Sequence, residues 1–328
     1  MKAMIIDRSG ATPAIRQGDI EPPSRARGQV LIRVQAASVN RADLAVLAGT
    51  HAAPGAAGAP AVVGLDAAGT VVEADEDSGF SVGDRVMTMV GGGLAEYVAI
   101  DSRFPVPLPD SWTFEEGAGA IVALMTEHNA LRTAGRLRDG DAVLINAANS
   151  GVGQMAIQIA RHLGAGRIIA GVRTHREDAL LTTLGADTIL NTGSGEFAEQ
   201  VLDASDGQGV DIIIDHVGGP YLADHIKAAA LQARLIGVGR LGGAEGTLDM
   251  EALAFKRVEI IGVTFRTRSL EEKVRIVEAM REDLDNALAA GKLKPRIDRV
   301  LPWTEVRSAQ TQVAGNDHLG KVILQVGT

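Results

Sequence analysis

The chain has 328 residues, 46% of them hydrophobic, and a formal net charge of −9. That length suggests about two domains and supplies ample core. Cysteine is absent, which excludes disulfides, thiolate catalysis and Cys-ligated zinc or iron–sulfur centres. The acidic balance argues against a nucleic-acid partner, and the small cluster of Lys292, Lys294 and Arg296 reads as a solvated face. No apolar run approaches the ~20 residues of a membrane span. Residues 1–6 run straight into Asp7 and Arg8, too short for a signal-peptide core. A soluble, cytoplasmic protein is expected.

In chain order, residues 30–34 are β-branched and apolar and read as a strand. Residues 62–72 are glycine-punctuated strand material, 83–89 a turn and a strand, and 95–100 a further strand. Closely spaced strands with Gly/Pro turns predict a barrel-like β domain. Residues 52–60 are almost wholly Ala, Gly and Pro and read as a loop, a place where function concentrates. After Pro109 the rhythm changes. Residues 114–133 look helical. Strands at 143–146, 167–172, 188–190, 210–215 and 234–238 then alternate with helices at 153–163, 177–184, 197–204 and 221–229. Nearly all-apolar strands alternating with helices mean a parallel sheet covered on both faces. The last β unit ends near 260–265, a helix covers 270–290, and 320–326 closes as a strand.

One junction carries chemistry. The apolar run Val143 to Asn146 stops at Ala147, Ala148, Asn149, Ser150, Gly151, Val152 and Gly153, and an apolar pattern of helical period follows. A strand, tight turn and helix N-terminus offer backbone N–H groups and a helix dipole to a pyrophosphate. A strict G-x-G-x-x-G would need glycine at Ala148, Ser150 and Gly153, and only the last is present. An ordinary β–α turn is the alternative.

Taken together, the residues resemble the medium-chain dehydrogenase/reductase superfamily, and within it the zinc-free quinone oxidoreductases. The carriers are Ser38-Val39-Asn40-Arg41-Ala42-Asp43, Gly64-Leu65-Asp66-Ala67-Ala68-Gly69, Val82-Gly83-Asp84-Arg85-Val86 and Ala95-Glu96-Tyr97-Val98. The nucleotide turn, Leu184-Gly185-Ala186-Asp187, Val217-Gly218-Gly219 and Gly320-Lys321-Val322-Ile323-Leu324 follow in the family's order. The resemblance runs end to end. It implies an α/β protein: a GroES-like β-barrel catalytic domain over 1–123, a Rossmann doubly wound parallel-sheet domain over 124–264, and a return to the catalytic domain over 265–328. It implies an active site in the cleft between them, and a homodimer joined through Rossmann sheets.

Zinc-dependent relatives carry cysteine where this chain has Asn40, histidine at Leu65, and a second cysteine near Val122. The glycines at 91–93 leave no room for a four-cysteine structural-zinc loop. No metal site is therefore expected, and no zinc Lewis acid for a carbonyl substrate.

The cofactor can be narrowed further. NAD-specific Rossmann domains carry a carboxylate about 20 residues past the turn. Here that place holds Val172, followed by Arg173, Thr174, His175 and Arg176. Arg173 and Arg176, with the Thr174 hydroxyl, suit a 2′-phosphate, so NADPH is expected; solvated arginines at a helix start are the alternative. Ser150, Gly151, Val152 and Gly153 are the pyrophosphate candidates. By resemblance, Val217, Val238 and Phe265 line the nicotinamide pocket, backbone near Val263 and Phe265 bonds the carboxamide, and Arg266 and Arg268 form an Arg-x-Arg element beside the cofactor. Thr126 holds the family's threonine position near the nicotinamide. Strand-end packing, surface charge and a helix-surface threonine are the respective alternatives.

Reducing a quinone or an enone delivers hydride to carbon and develops charge on oxygen, which a nearby donor stabilises. Asn40 is the first catalytic candidate, since its amide donates without titrating; an Asx turn is the alternative. Related reductases carry tyrosines downstream, where this chain has Ala45 and His51. His51 is a candidate proton donor near neutral pH, or simply an exposed loop histidine. Asp43 reads as structural, Glu127 and His128 as a helix face, and His216 as either bordering the cofactor or packing. The expected activity is NADPH-dependent, zinc-independent reduction of a small-molecule quinone or enone. An enoyl-thioester or acrylyl-type reductase is one alternative, and a non-catalytic, crystallin-like NADPH-binding protein another.

Overall fold

The computed structural model describes residues 1–10, 13–49, 61–175, 178–316 and 318–327. It divides into two compact units, Met1–Val122 with Leu288–Thr328, and Ala123–Ala287.

The first unit is built on strand Gln29–Ser38, which pairs antiparallel with Lys321–Gln325, Asp66–Glu73 and Tyr97–Asp101. Ile297–Pro302, Arg85–Met89 and Val106–Pro107 extend this seven-stranded sheet. Val30, Ile32 and Val34 are buried while Arg33 is exposed, the period of two that a half-buried strand requires. They pack with Val71, Val86, Val98, Leu324 and Trp303 into one core.

The second unit holds a six-stranded sheet in the order Thr188–Asn191, Arg167–Val172, Ala142–Asn146, Val210–Asp215, Ala229–Gly237, Glu259–Gly262, every pairing parallel. Chain order reverses at Ala142–Asn146, which makes that strand the topological switch point where ligands of such sheets bind. Val143, Leu144 and Ile145 are all fully buried, as are Ile212, Ile213 and Ile214, so both faces are covered. On one face Leu144 and Ile213 join Phe197, Val201 and Ile226. The β domain and the doubly wound parallel sheet that the sequence predicts are both present.

The structure departs from expectation in particulars. The helix expected over 114–133 is α-helical over Phe114–His128 and then a π turn, Asn129–Ala134, where the Gly135 N–H reaches back to the Ala130 carbonyl. The strands Lys2–Asp7, Ala14–Asp19 and Ile297–Pro302, and the helices Arg41–Leu47, Met250–Lys256 and Val306–Gly315, add to the expected elements. The return to the first unit falls at Leu288 rather than 265. Helix Leu270–Ala289 belongs to the second unit up to Ala287, because its Asp283 accepts from His128 Nε2 at 2.8 Å and its Asp283 carbonyl meets His162.

Candidate functional site

At the switch point the chain turns sharply. Ala147 sits in the left-handed region at φ 53°, a conformation that costs a residue with a Cβ about 1 kcal/mol. Backbone bonds hold it there: Ser150 N–H donates to the Ala147 carbonyl and Ala148 N–H to the Gly171 carbonyl, both at 3.0 Å. Ser150 then caps helix Gly151–His162, its hydroxyl accepting from Gly153 N–H at 3.1 Å. A Cβ on Gly153 would lie 2.5 Å from the Ala147 oxygen, so only glycine fits this crossing of turn and helix. The Gly151 and Val152 N–H groups open the helix and have no acceptor within it. These features fit an anionic dinucleotide: small residues in close approach and free donors at a helix N-terminus.

The neighbouring strand ends complete an edge. Asp215 closes Val210–Asp215, and its carboxylate accepts from the N–H groups of Val217 (2.8 Å) and Gly218 (3.0 Å). Gly218 there adopts φ +93°, which favours glycine. The Asp215 carbonyl accepts from Val238 N–H at 2.9 Å, and the Gly237 carbonyl from Val263 N–H at 3.1 Å. Val217, Val238 and Val263 thus stand at adjacent strand ends, the first two partly exposed. Phe265 follows, half-buried. Arg266 is exposed, and its N–H bonds Thr264 Oγ1. Arg173 and Thr174 leave the end of Arg167–Val172 exposed, with no carboxylate on that strand end. Thr126 is partly exposed on helix Phe114–His128. Arg176 and His51 lie outside the described residues, as does the 52–60 loop.

Beneath this edge is a buried polar chain that sequence reasoning missed. Glu127, read with His128 as a helix face, is fully buried, as is His128. Glu127 Oε1 meets His216 Nε2 at 3.0 Å, and His216 Nδ1 meets the Asn146 carbonyl at 2.7 Å. Burial opposes a charged imidazole, yet the Glu127 carboxylate outweighs it and raises the His216 pKa. Asn146 Nδ2 lies 2.9 Å from His225 Nε2, and burial lowers the His225 pKa. The available signal was the polar run Glu127-His128-Asn129 inside an otherwise apolar helix.

In the first unit, Asn40 sits in a closed cluster. Its Nδ2 donates to Asp66 Oδ2 at 2.6 Å and to Ser38 Oγ at 3.3 Å, while its Oδ1 accepts from Lys321 Nζ at 2.7 Å. The sequence casts this amide as a free donor for a substrate oxygen; the structure engages both its ends internally. Asp66 also accepts from the Ser38 backbone and hydroxyl, both at 2.5 Å. Asp43 accepts from Asn40 N–H at 2.7 Å, as the structural reading expects. Burial raises the Asp66 pKa, pushes Asp43 up to about 7, and lowers Lys321. At the zinc-ligand positions of the resemblance, Leu65 and Val122 offer no donor, and Lys321 already occupies the Asn40 oxygen. This set does not fit a zinc ion.

Comparison with known proteins gives two family matches: the alcohol dehydrogenase GroES-like domain over residues 26–110 and zinc-binding dehydrogenase over 151–280. The human quinone oxidoreductase is 29% identical, over 99% of this chain and 97% of that protein. A mycocerosic acid synthase-like polyketide synthase of Mycobacterium tuberculosis is 32% identical over 91% of this chain, and the match spans only 14% of that protein's length. Among solved structures, an alcohol dehydrogenase superfamily protein from Novosphingobium aromaticivorans superposes with a TM-score of 0.86 and 30% identity, over 99% of this chain and 100% of that one. Mycobacterial Rv1454c complexed with NADPH gives a TM-score of 0.85 and 26% identity, over 99% of this chain and 100% of that one.

Proposed function

The chain belongs to the medium-chain dehydrogenase/reductase superfamily and is a quinone oxidoreductase-like enzyme, and from that premise we propose that it is an NADPH-dependent, zinc-independent reductase of quinones or activated alkenes. The observation that carries the reading is the turn at Ala147–Gly153, with free helix donors at the sheet's switch point. Arg173 and Thr174 at the second strand end favour the 2′-phosphate, in keeping with the NADPH in the mycobacterial complex.

The bound nicotinamide would supply the hydride. This chain's residues do the rest. Ser150, Gly151, Val152 and Gly153 take the pyrophosphate, and Val217, Val238 and Phe265, with Thr126, form the apolar seat for the nicotinamide. Arg266 stands beside it. Asn40, by leaving Asp66, and His51, which lies outside the described residues, are the candidate donors to a substrate oxygen, and a reduced quinone oxygen can also take its proton from water. A second reading, an enoyl-thioester reductase, is favoured by the match to segments of polyketide synthases.

Stopped-flow oxidation of bound NADPH by 1,4-benzoquinone, a naphthoquinone, a 2-alkenal and a crotonyl thioester tests the assignment. Turnover with quinones or the alkenal, undiminished by a chelator, is expected. Turnover with the thioester alone would establish the second reading. Oxidation by none of them overturns the reductase and leaves a nucleotide-binding protein.

Glu259–Gly262 lies at the open edge of the parallel sheet with Ile260 47% exposed. An apolar unpaired edge supports a homodimer joined there, and light scattering should return twice the 34.2 kDa chain mass. Among the described residues no helix is long and apolar enough to cross a membrane. A small-molecule substrate in the cytoplasm completes the proposal.

A further inference from the structure

Among the described residues, the His216 ring nitrogens each face one oxygen. Its Nδ1 lies 2.7 Å from the Asn146 carbonyl oxygen and its Nε2 3.0 Å from Glu127 Oε1. The Asn146 carbonyl can only accept, so Nδ1 carries a hydrogen, and the Glu127 carboxylate beside Nε2 raises the His216 pKa against the effect of burial, which favours a second hydrogen there. The other charged group near it is Asp215, on its own strand, whose carboxylate is bound to the Val217 and Gly218 N–H groups. His225, from helix Leu222–Ala228, faces Asp215 at 3.7 Å and accepts from Asn146 Nδ2. Among the described residues the second Glu127 oxygen is buried without a hydrogen-bond partner.

This one ring joins three separate segments. Glu127 follows Thr126 on helix Phe114–His128. The Asn146 carbonyl is the last of its strand before the nucleotide turn. His216 immediately precedes Val217. We propose that Glu127 and His216 are positioning residues for hydride transfer: their ion pair clamps the segments bearing Thr126, the nucleotide turn and Val217 into one register. Its functional part rests on the dinucleotide reading above; the clamp itself does not. A buried ion pair is weak support for stability but can specify a single arrangement. Removing one partner strands the other in the interior and lowers stability as well, so the rate is read beside Glu127→Gln, which keeps a bond to the ring.

Side-chain 15N spectra of the cofactor-free protein, with His216→Gln for assignment, should show both His216 ring nitrogens protonated at pH 7. A bare ring nitrogen there overturns the imidazolium. Amide hydrogen exchange at residues 146–148 and 217–218 should quicken together, by about 10-fold, in Glu127→Ala, because local opening is governed by the contacts removed. Unchanged exchange overturns the clamp. Single-turnover oxidation of NADPH should slow about 10-fold in Glu127→Ala with Kd for NADPH within about threefold, and Glu127→Gln, which can still bond the ring, should recover most of the rate. An unchanged rate in Glu127→Ala overturns the positioning role. Failure of the wild-type protein to bind NADPH would instead refute the dinucleotide reading, and the spectra and exchange would still decide the clamp.

Discussion

The two polar centres of this molecule treat their donors in opposite ways. At the nucleotide turn, the Gly151 and Val152 N–H groups point out of the helix start with no helical acceptor. Around Asn40, Lys321 and Ser38 are directed inward onto Asn40 and Asp66. A helix terminus with open donors is prepared for an anion from outside. A closed cluster of two carboxylates and one ammonium is prepared only to hold its own strands together. Asn40, with Asp66 on its nitrogen and Lys321 on its oxygen, stands inside that closed cluster.

Substitutions can break the contrast from either side. The largest effect on nucleotide binding is expected at the open centre. Gly153→Val drives a side chain into the Ala147 carbonyl, and fluorescence titration should show NADPH binding weakened by about 100-fold or more, as loss of the close approach to the pyrophosphate requires. Binding within a few-fold of wild type would mean that the turn does not hold the nucleotide.

The closed centre should respond in stability instead. Lys321→Met leaves Asp66 and Asp43 buried without their cation, at a cost of about 3–5 kcal/mol in urea unfolding. A loss below about 1 kcal/mol would show that the carboxylates already share protons and need no counter-charge.

Asp43 sharpens the same point through pH. Its folded pKa, about 7, is raised by burial above the ordinary carboxylate value. The folded state therefore holds a proton that the unfolded chain releases, and this contribution is complete below about pH 4 and lost as pH rises to 7. Stability at pH 8 should fall below that at pH 5 by on the order of 2 kcal/mol from this group, and Asp43→Asn should remove that part of the slope. A slope unaltered in the variant would assign the pH dependence elsewhere.

The smallest effect is expected at the rim of the open centre. Arg173→Ala should raise Kd for NADPH about 10-fold, the size of one charge-assisted contact to phosphate, and leave NADH unchanged. Equal losses for both cofactors would remove Arg173 from the 2′-phosphate.

What could be read from sequence follows the range of the interactions. The strands at 143–146 and 210–215 were legible because burial on both faces writes the apolar runs Val143–Ile145 and Ile212–Ile214. Helix Phe197–Ala204 was legible through Phe197, Ala198 and Val201 on one face. Ile297–Pro302 was not: none of its residues is fully buried, and Asp298 and Arg299 interrupt its pattern. The turn was recognisable despite its missing glycines because Gly153 occupies a place where a Cβ would meet the Ala147 carbonyl. The side-chain partners were beyond reach. Glu127 and His216 are 89 positions apart, and Asn40 and Lys321 are 281 apart; no local pattern links them, and a resemblance transfers residue types but not which neighbours hold them.

The division of the chain also sets an order of assembly. All of the second unit lies between Ala123 and Ala287, whereas the first needs Lys321–Gln325 to lie beside Gln29–Ser38. On a ribosome adding about 5–20 residues per second, domains fold as their chain emerges. Here the inserted unit is complete first, and the unit that began earlier waits, with Asp66 lacking its lysine, until the last strand arrives. The unit that contains residues 1–122 is thus finished after the one inserted into it, and the stretch of synthesis after residue 287 is when its open sheet edge most needs protection from other chains.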